Sequence, residues 1–296
     1  MCSSDLPAVL SARGGILAVS GERGTVRLRN ASTGRSVGRP ITTHHAVTGL
    51  ALSPDGTTLA VTADGLQLWS TATGQRIGRL LPATGAVTAV AAAGPAAFSP
   101  DGRLVAAIGS DGKARLWNVA TRQQTGTAVA VGRTGGALAF SPGGKTFVTV
   151  AANGTAAMWS VATGHRVGAV MNAGGASSAG GQGTAGGPVA AVAFSPDGRT
   201  LATAVDGSVR LWDTATRQET GAPMTAGPGP AYAVAFSPDG RTLATAGGDG
   251  TARSWDVAFP AGLLAGACAI ADQSLTRQQW AGYAGTQPFQ QVCPAS

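Results

Sequence analysis

Three histidines, three cysteines and two phosphate-loop look-alikes are the residues of this chain whose types and spacing invite a chemical reading. His44 and His45 are adjacent and His165 stands apart. An adjacent pair is a poor chelate, because neighbouring side chains on a strand point to opposite faces. No carboxylate or cysteine joins the pair, so a turn and blade-network role is expected. A nucleophile needs a base within hydrogen-bond reach, and the chain has no Gly-x-Ser-x-Gly elbow. Gly181 to Gly186 matches the G-x-G-x-x-G spacing, but it sits in a glycine-rich loop with no strand before it and no helix after it. Gly144-Lys145-Thr146 ends like a P-loop, yet Ala139 stands where the first glycine is required. The aspartates recur at equivalent turn positions. No catalytic residue, metal ligand, cofactor or small-molecule substrate is assigned, and the chain is read as a non-enzyme.

The elements that carry these residues are copies of one unit. Val189 to Asp213 reads as three short strands: VAAVAF, LATAV and SVRLWD. Ser195-Pro196-Asp197-Gly198 breaks the first from the second through turn-forming Pro and Gly. Asp206-Gly207 is a two-residue hairpin signal before the third. The third strand recurs as TVRLRN, GLQLWS, KARLWN, TAAMWS, SVRLWD and TARSWD. Its landmark residues are Arg29, Trp69, Trp117, Trp159, Trp212 and Trp255, spaced by 40, 48, 42, 53 and 43 residues. Ser-Pro-Asp-Gly recurs from Ser53, Ser99, Ser195 and Ser237, as Ser-Pro-Gly-Gly from Ser141, and has decayed to Ser-Ala-Arg-Gly from Ser11.

This F-S-P-D-G-x-x-L-A…D-G-x-V-R-L-W-D pattern resembles the WD-repeat family of β-propellers, whose period is ~40–45 residues. The resemblance covers about residues 8–258. It implies an all-β propeller of about six recognisable four-stranded blades, from a ring of seven, with a short helical C-terminal tail. Outer strands are expected after each tryptophan, as at Gln75 to Leu81 and Gln218 to Met224. Thr203, Asp206 and Trp212, repeated as Thr245, Asp249 and Trp255, occupy the positions of the family's Asp–His–Ser/Thr–Trp hydrogen-bond network. Its histidine is nearly absent, His45 alone falling at the matching place, so the network is not counted as stabilising here.

Around the repeats, residues 1–6 are expected to be a non-native leader, since CSSDL resembles a translated sequencing adapter; the propeller is assigned to 7–258 and a capping tail to 259–296. The chain is accordingly expected to be an N-terminally truncated fragment of an actinobacterial-type protein, its sixth blade lacking an outer strand. Asn172 to Pro188 reads as a flexible loop. In the tail, Thr276 and Gln279 form a capping box flanked by Leu275 and Trp280. Cys268 and Cys293 are either a disulfide or two thiols, and the compartment follows from which. No segment approaches the ~20 apolar residues of a membrane span.

The 296 residues carry a formal charge of +7, spread one or two cations per repeat rather than in a run. Of 21 basic residues only Lys113 and Lys145 are lysines. The template collects Arg35, Arg76, Arg103, Arg122, Lys145, Arg166, Arg199, Arg217 and Arg241 at one end of the blades. The other end receives the turns of Asp64, Asp111, Asp206 and Asp249 and the starts of the first strands, with His45, Thr48, Thr88 and Tyr232. The resemblance makes that second end the expected partner-binding face. The expected function is a protein-interaction scaffold or sensor in a larger bacterial signalling protein. The alternative is nucleic-acid or anionic-surface binding through the basic end.

Overall fold

Strand-forming runs of five or six residues, each stopped by a turn, give an all-β chain. The computed structural model describes residues 8–10, 15–63, 65–81, 96–109, 111–131, 136–151, 154–173, 191–205, 207–227, 231–247 and 249–257. The leader, most of the Asn172 to Pro188 loop, and the tail expected to be helical, with both of its cysteines, lie outside the described residues. The chain divides into two units, Met1–Trp255 and Asp256–Ser296.

The first unit holds six antiparallel sheets in chain order. Sheet I is β1 (Ala8–Leu10), β2 (Ile16–Ser20), β3 (Thr25–Asn30) and β4 (Ser36–Thr42). Sheet II is β5 (Gly49–Leu52), β6 (Thr58–Thr62) and β7 (Leu66–Ser70). Sheet III is β8 (Ala96–Phe98), β9 (Leu104–Ile108), β10 (Lys113–Asn118) and β11 (Gln124–Ala130). Sheet IV is β12 (Ala137–Phe140), β13 (Thr146–Val150), β14 (Thr155–Ser160) and β15 (Met171–Asn172). Sheet V is β16 (Ala191–Phe194), β17 (Thr200–Val205), β18 (Ser208–Asp213) and β19 (Met224–Thr225). Sheet VI is β20 (Ala231–Phe236), β21 (Thr242–Gly247) and β22 (Ala252–Asp256), with no fourth strand among the described residues.

Inner strands of successive sheets lie side by side, β1 by β5, β5 by β8, β8 by β12, β12 by β16 and β16 by β20. Sheets therefore stack face on face around a common inner edge, and an interior sheet is covered on both sides. Its strands read as nearly unbroken apolar runs for that reason, as in Leu-Val-Ala-Ala-Ile of β9. Ala106 and Ile108 pack forward on Phe147 of sheet IV, while Val105 and Ala107 pack back on Leu66 and Leu68 of sheet II. Among the described residues only one face of sheet I is covered, and β3 alternates: Val26 and Leu28 are buried, Arg27 and Arg29 exposed. Arg29 thus stands where other sheets need a tryptophan because nothing described packs on that side. At the far end Ala244 is exposed, whereas its counterparts Ala60, Ala106 and Ala202 are fully buried.

The outer strands are shorter than the sequence implies in half the sheets. Gln75 to Leu81 makes only two bridges, Arg76 to Trp69 and Leu81 to Leu66, and Gln218 to Met224 joins through Glu219 and then β19. A glycine of positive φ interrupts each outer segment: Gly38, Gly78, Gly126, Gly168 and Gly221, at 65° to 77°. A left-handed residue bulges the strand. In sheets I and III the strand resumes with a shifted register, between Val26 and Leu28 and between Ala114 and Leu116.

The Ser-Pro-Asp-Gly turns lock neighbouring sheets together. Each turn glycine has positive φ, and the position its missing Cβ would take lies against the proline of the preceding sheet: 3.5 Å for Gly102 and Pro54, 3.6 Å for Gly144 and Pro100, 3.4 Å for Gly198 and Pro142, and 3.4 Å for Gly240 and Pro196. Within a turn, Ser53 Oγ donates to Asp55 Oδ1 at 2.5 Å and accepts from Thr58 N–H at 2.9 Å. Ser99, Ser195 and Ser237 repeat the donation at 2.5, 2.6 and 2.5 Å. Where Gly143 replaces the aspartate, Thr146 Oγ1 bonds Ser141 Oγ instead, at 3.0 Å. Lys145 is the exposed residue after Gly144 of this turn and not part of a phosphate loop.

The serine hydroxyl, aided by a backbone N–H, holds the carboxyls of Asp55, Asp101, Asp197 and Asp239 below the usual range. Groups with a depressed folded pKa stabilise the fold above their unfolded pKa, about 4 for Asp, and lose that contribution as pH falls through the folded value. The urea midpoint is therefore expected to be flat from neutral pH to about 4 and to fall below it. A midpoint unchanged between about pH 4 and pH 2 would contradict the role given to these turns.

Candidate functional site

The expected partner face takes in Asp64, Asp111, Asp206, Asp249, His45, Thr48, Thr88 and Tyr232. Asp64, Thr88 and Asp206 lie outside the described residues, as does the side chain of Tyr232. The rest are placed by hydrogen bonds within each sheet. Thr48 Oγ1 lies 3.0 Å from the Thr62 carbonyl, to which it donates, so it ties the start of β5 to β6. Asp111 accepts from Arg115 at 3.0 and 2.5 Å, and Asp249 accepts from Arg253 at 3.0 Å and from Thr251 Oγ1 at 2.7 Å. Arg253 also donates to the Ala226 carbonyl. Arg115 holds the Asp111 carboxyl below its usual range, and the Thr251 hydroxyl and N–H, with Arg253, lower that of Asp249 to about 2.

The Arg–Asp pairs were not anticipated, though their signal is in the sequence. Asp111-Gly-Lys-Ala-Arg115 and Asp249-Gly-Thr-Ala-Arg253 share the i, i+4 spacing across a tight turn. The third-strand residue two before the tryptophan is the arginine, and it takes the turn aspartate in two sheets. In sheet V the corresponding Arg210 pairs with Glu219 of the outer segment at 2.8 Å.

The tryptophan half of the network is closed where threonine stands on the second strand. Trp159 Nε1 donates to Thr149 Oγ1 at 2.8 Å, Trp212 to Thr203 at 2.9 Å and Trp255 to Thr245 at 3.1 Å. The network expected to count for nothing therefore keeps its Trp–Thr link in three sheets. In sheet II, Val61 occupies the threonine position, and Trp69 Nε1 turns to Gln67 Oε1 at 3.1 Å. His45 is exposed in its turn, next to His44 with φ of 63°. Gln67→Leu is expected to cost ~1–3 kcal/mol by leaving a buried indole N–H without an acceptor. Adding Val61→Thr should restore most of it. Equal chemical-denaturation midpoints for Gln67→Leu and the wild type would sink this account.

Exposed Arg103, Lys145, Arg199 and Arg241 follow the turn glycines at the opposite end, and exposed Arg35, Arg76, Arg122 and Arg166 belong to the outer segments. Arg122 and Arg217 take positive φ, 59° and 62°, at the position where other sheets use Gly34, Gly74 and Gly164. Both lie over a glycine of the preceding sheet, Gly78 and Gly168 respectively, and Arg217 Nε donates to the Val167 carbonyl at 3.0 Å. Between the turns of sheets II and III lies an open groove of about 410 Å³ lined by Ser53, Pro54, Asp55, Pro100, Asp101 and Val119. Its carboxylates are already held by the turn hydroxyls. Among the described residues no three His, Cys, Asp or Glu converge as a metal-ligand group, and no helix is long and apolar enough to cross a membrane.

Two family models match the chain. Residues 2–177, more than half of it, match the model described as outer membrane protein assembly factor BamB. Residues 181–213 and 224–256 match WD domain, G-beta repeat. No curated protein matches the chain.

Proposed function

Because the chain belongs to the β-propeller family of the BamB-type model, which matches more than half of it, and continues in WD domains at residues 181–213 and 224–256, we propose that it is a non-enzymatic scaffold or sensor that binds protein partners. WD repeats generally act as interaction scaffolds. The observation that carries the reading is how side chains are divided between packing and surface. Apolar residues are consumed between successive sheets, and the ends are left with short polar turns on a fixed frame. Loops held on a rigid scaffold are where recognition concentrates.

The partner face is proposed at the end carrying His45, Thr48, Asp64, Thr88, Asp111, Asp206, Tyr232 and Asp249. The exposed side chains of Glu22, His44 and His45 support it. Asp111 and Asp249 act there as fixed shape and charge, since their arginines hold them. A match to a family described as an assembly factor is in keeping with a scaffold.

A photo-crosslinking amino acid in place of His45, compared with one in place of Arg199 at the opposite end, tests this in extracts of the source cell. A discrete protein adduct from position 45 that position 199 does not give is the expected result. No adduct, or the same adducts from both positions, would overturn it.

A further inference from the structure

The outer segments of sheets I to IV carry Arg35, Arg39, Arg76, Arg79, Arg122 and Arg166 and not one aspartate or glutamate between residues 31–42, 71–81, 119–130 and 161–172. All six are exposed. These segments touch one another in succession. The Cβ position of Gly74 lies 3.1 Å from the Arg39 carbonyl oxygen, Gly78 lies beneath the Arg122 guanidinium, and the Cβ position of Gly164 lies 2.6 Å from Thr127 Oγ1. The cations therefore form one continuous belt around the rim. The outer segment of sheet V does contain a carboxylate, Glu219, and it is turned onto Arg210 rather than toward the belt.

Charge on an edge strand keeps sheets from pairing with other chains, and either sign serves that purpose. Edge protection alone leaves the uniform sign unexplained. The rim also offers main-chain groups: among the described residues β4 and β11 are the last strands of their sheets, each paired on one side only. Unpaired backbone edges beside same-sign guanidinium groups match an extended polypeptide rich in aspartate or glutamate. Such a segment supplies both strand hydrogen bonds and carboxylates. A nucleic acid would use the charges and leave the edge unused.

We infer that this rim is a second docking surface, whose occupant is an extended acidic segment of a protein partner. The inference rests on the reading of the chain as a protein-interaction propeller and concerns a different surface from the end face.

The test is fluorescence anisotropy of labelled poly-L-glutamate with the whole protein. Arg35→Glu/Arg76→Glu/Arg79→Glu/Arg166→Glu is compared with Arg199→Glu/Arg241→Glu, which alters the turn end. Far-UV circular dichroism and thermal midpoints check that both stay folded. The rim variant is expected to weaken binding by about tenfold or more and the turn-end variant by less than about twofold, with the wild-type affinity falling as salt rises. Equal weakening by both variants, no binding of poly-L-glutamate, or tighter binding of a DNA duplex of equal charge would overturn the inference. Position 45 crosslinking is independent of the belt, so either result can fail while the other stands.

Discussion

Trp212→Ala is expected to destabilise the propeller by ~3–5 kcal/mol, the range for truncating a buried large aromatic. Trp212 is 5% exposed and packs in one cluster with Val148, Met158, Met171 and Leu201, so it belongs to the joint between sheets IV and V. Its removal opens a cavity there and also strips Thr203, 1% exposed, of the indole N–H it accepts. Trp212→Phe keeps most of the volume and loses the bond, and should cost about 1–2 kcal/mol. Thr203→Val removes the acceptor with little change of shape and should fall in the same range. Denaturant unfolding followed by far-UV circular dichroism reads all three. If Trp212→Phe and Thr203→Val are each neutral, the Trp–Thr link is decorative. If Trp212→Ala costs under about 1 kcal/mol, the inter-sheet packing described for this joint is wrong.

Asp111→Ala should be the second large effect, about 3 kcal/mol, because it removes the two charge-assisted hydrogen bonds that the buried Arg115 guanidinium makes to this carboxylate. The Arg115 side chain is 6% exposed and Asp111 29%, and the two share hydrogen bonds of 3.0 and 2.5 Å. Breaking a buried pair from one side is costly, whereas replacing both partners by apolar groups is often close to neutral. Asp111→Ala/Arg115→Met should therefore recover most of the loss. A double variant no more stable than Asp111→Ala would refute the pairing account. The same double variant separates structure from recognition, since it removes an end-face carboxylate from a folded protein. If position 45 crosslinking survives in it, Asp111 serves the fold and not the partner.

How far the sequence carries the site differs from residue to residue. The blade unit, the six landmark positions and the proline–glycine turns could be placed by spacing, because a period-2 strand and a fixed turn leave little freedom once the repeat is seen. Trp–Thr bonding was visible only as a pair of positions. Whether the indole finds threonine or glutamine depends on the residue across the strand, as Val61 and Gln67 show. His45 matched a motif by position and stands exposed in space. The Asp-x-x-x-Arg spacing was present throughout, but a turn aspartate can serve its own backbone, its strand or a partner, and spacing does not choose among these.

By itself the sequence determined that the chain repeats an antiparallel unit and that each unit must bury both faces against neighbours. That follows from second strands that are nearly unbroken apolar runs, as in Leu104–Ile108, and turns that permit only a tight reversal. Only the tertiary structure decided which faces are covered. Sheet stacking buries Ala60, Ala106 and Ala202 and leaves Ala244 exposed, and it frees the position of Arg29 from the need for tryptophan. Tertiary contact likewise placed the arginines. Arg115 and Arg253 are drawn inward by turn carboxylates, Arg217 is spent on a neighbouring carbonyl, and the rim arginines of sheets I to IV share their segments with no acid. Net charge counts all of them alike, while burial and partner geometry decide which remain available to another molecule.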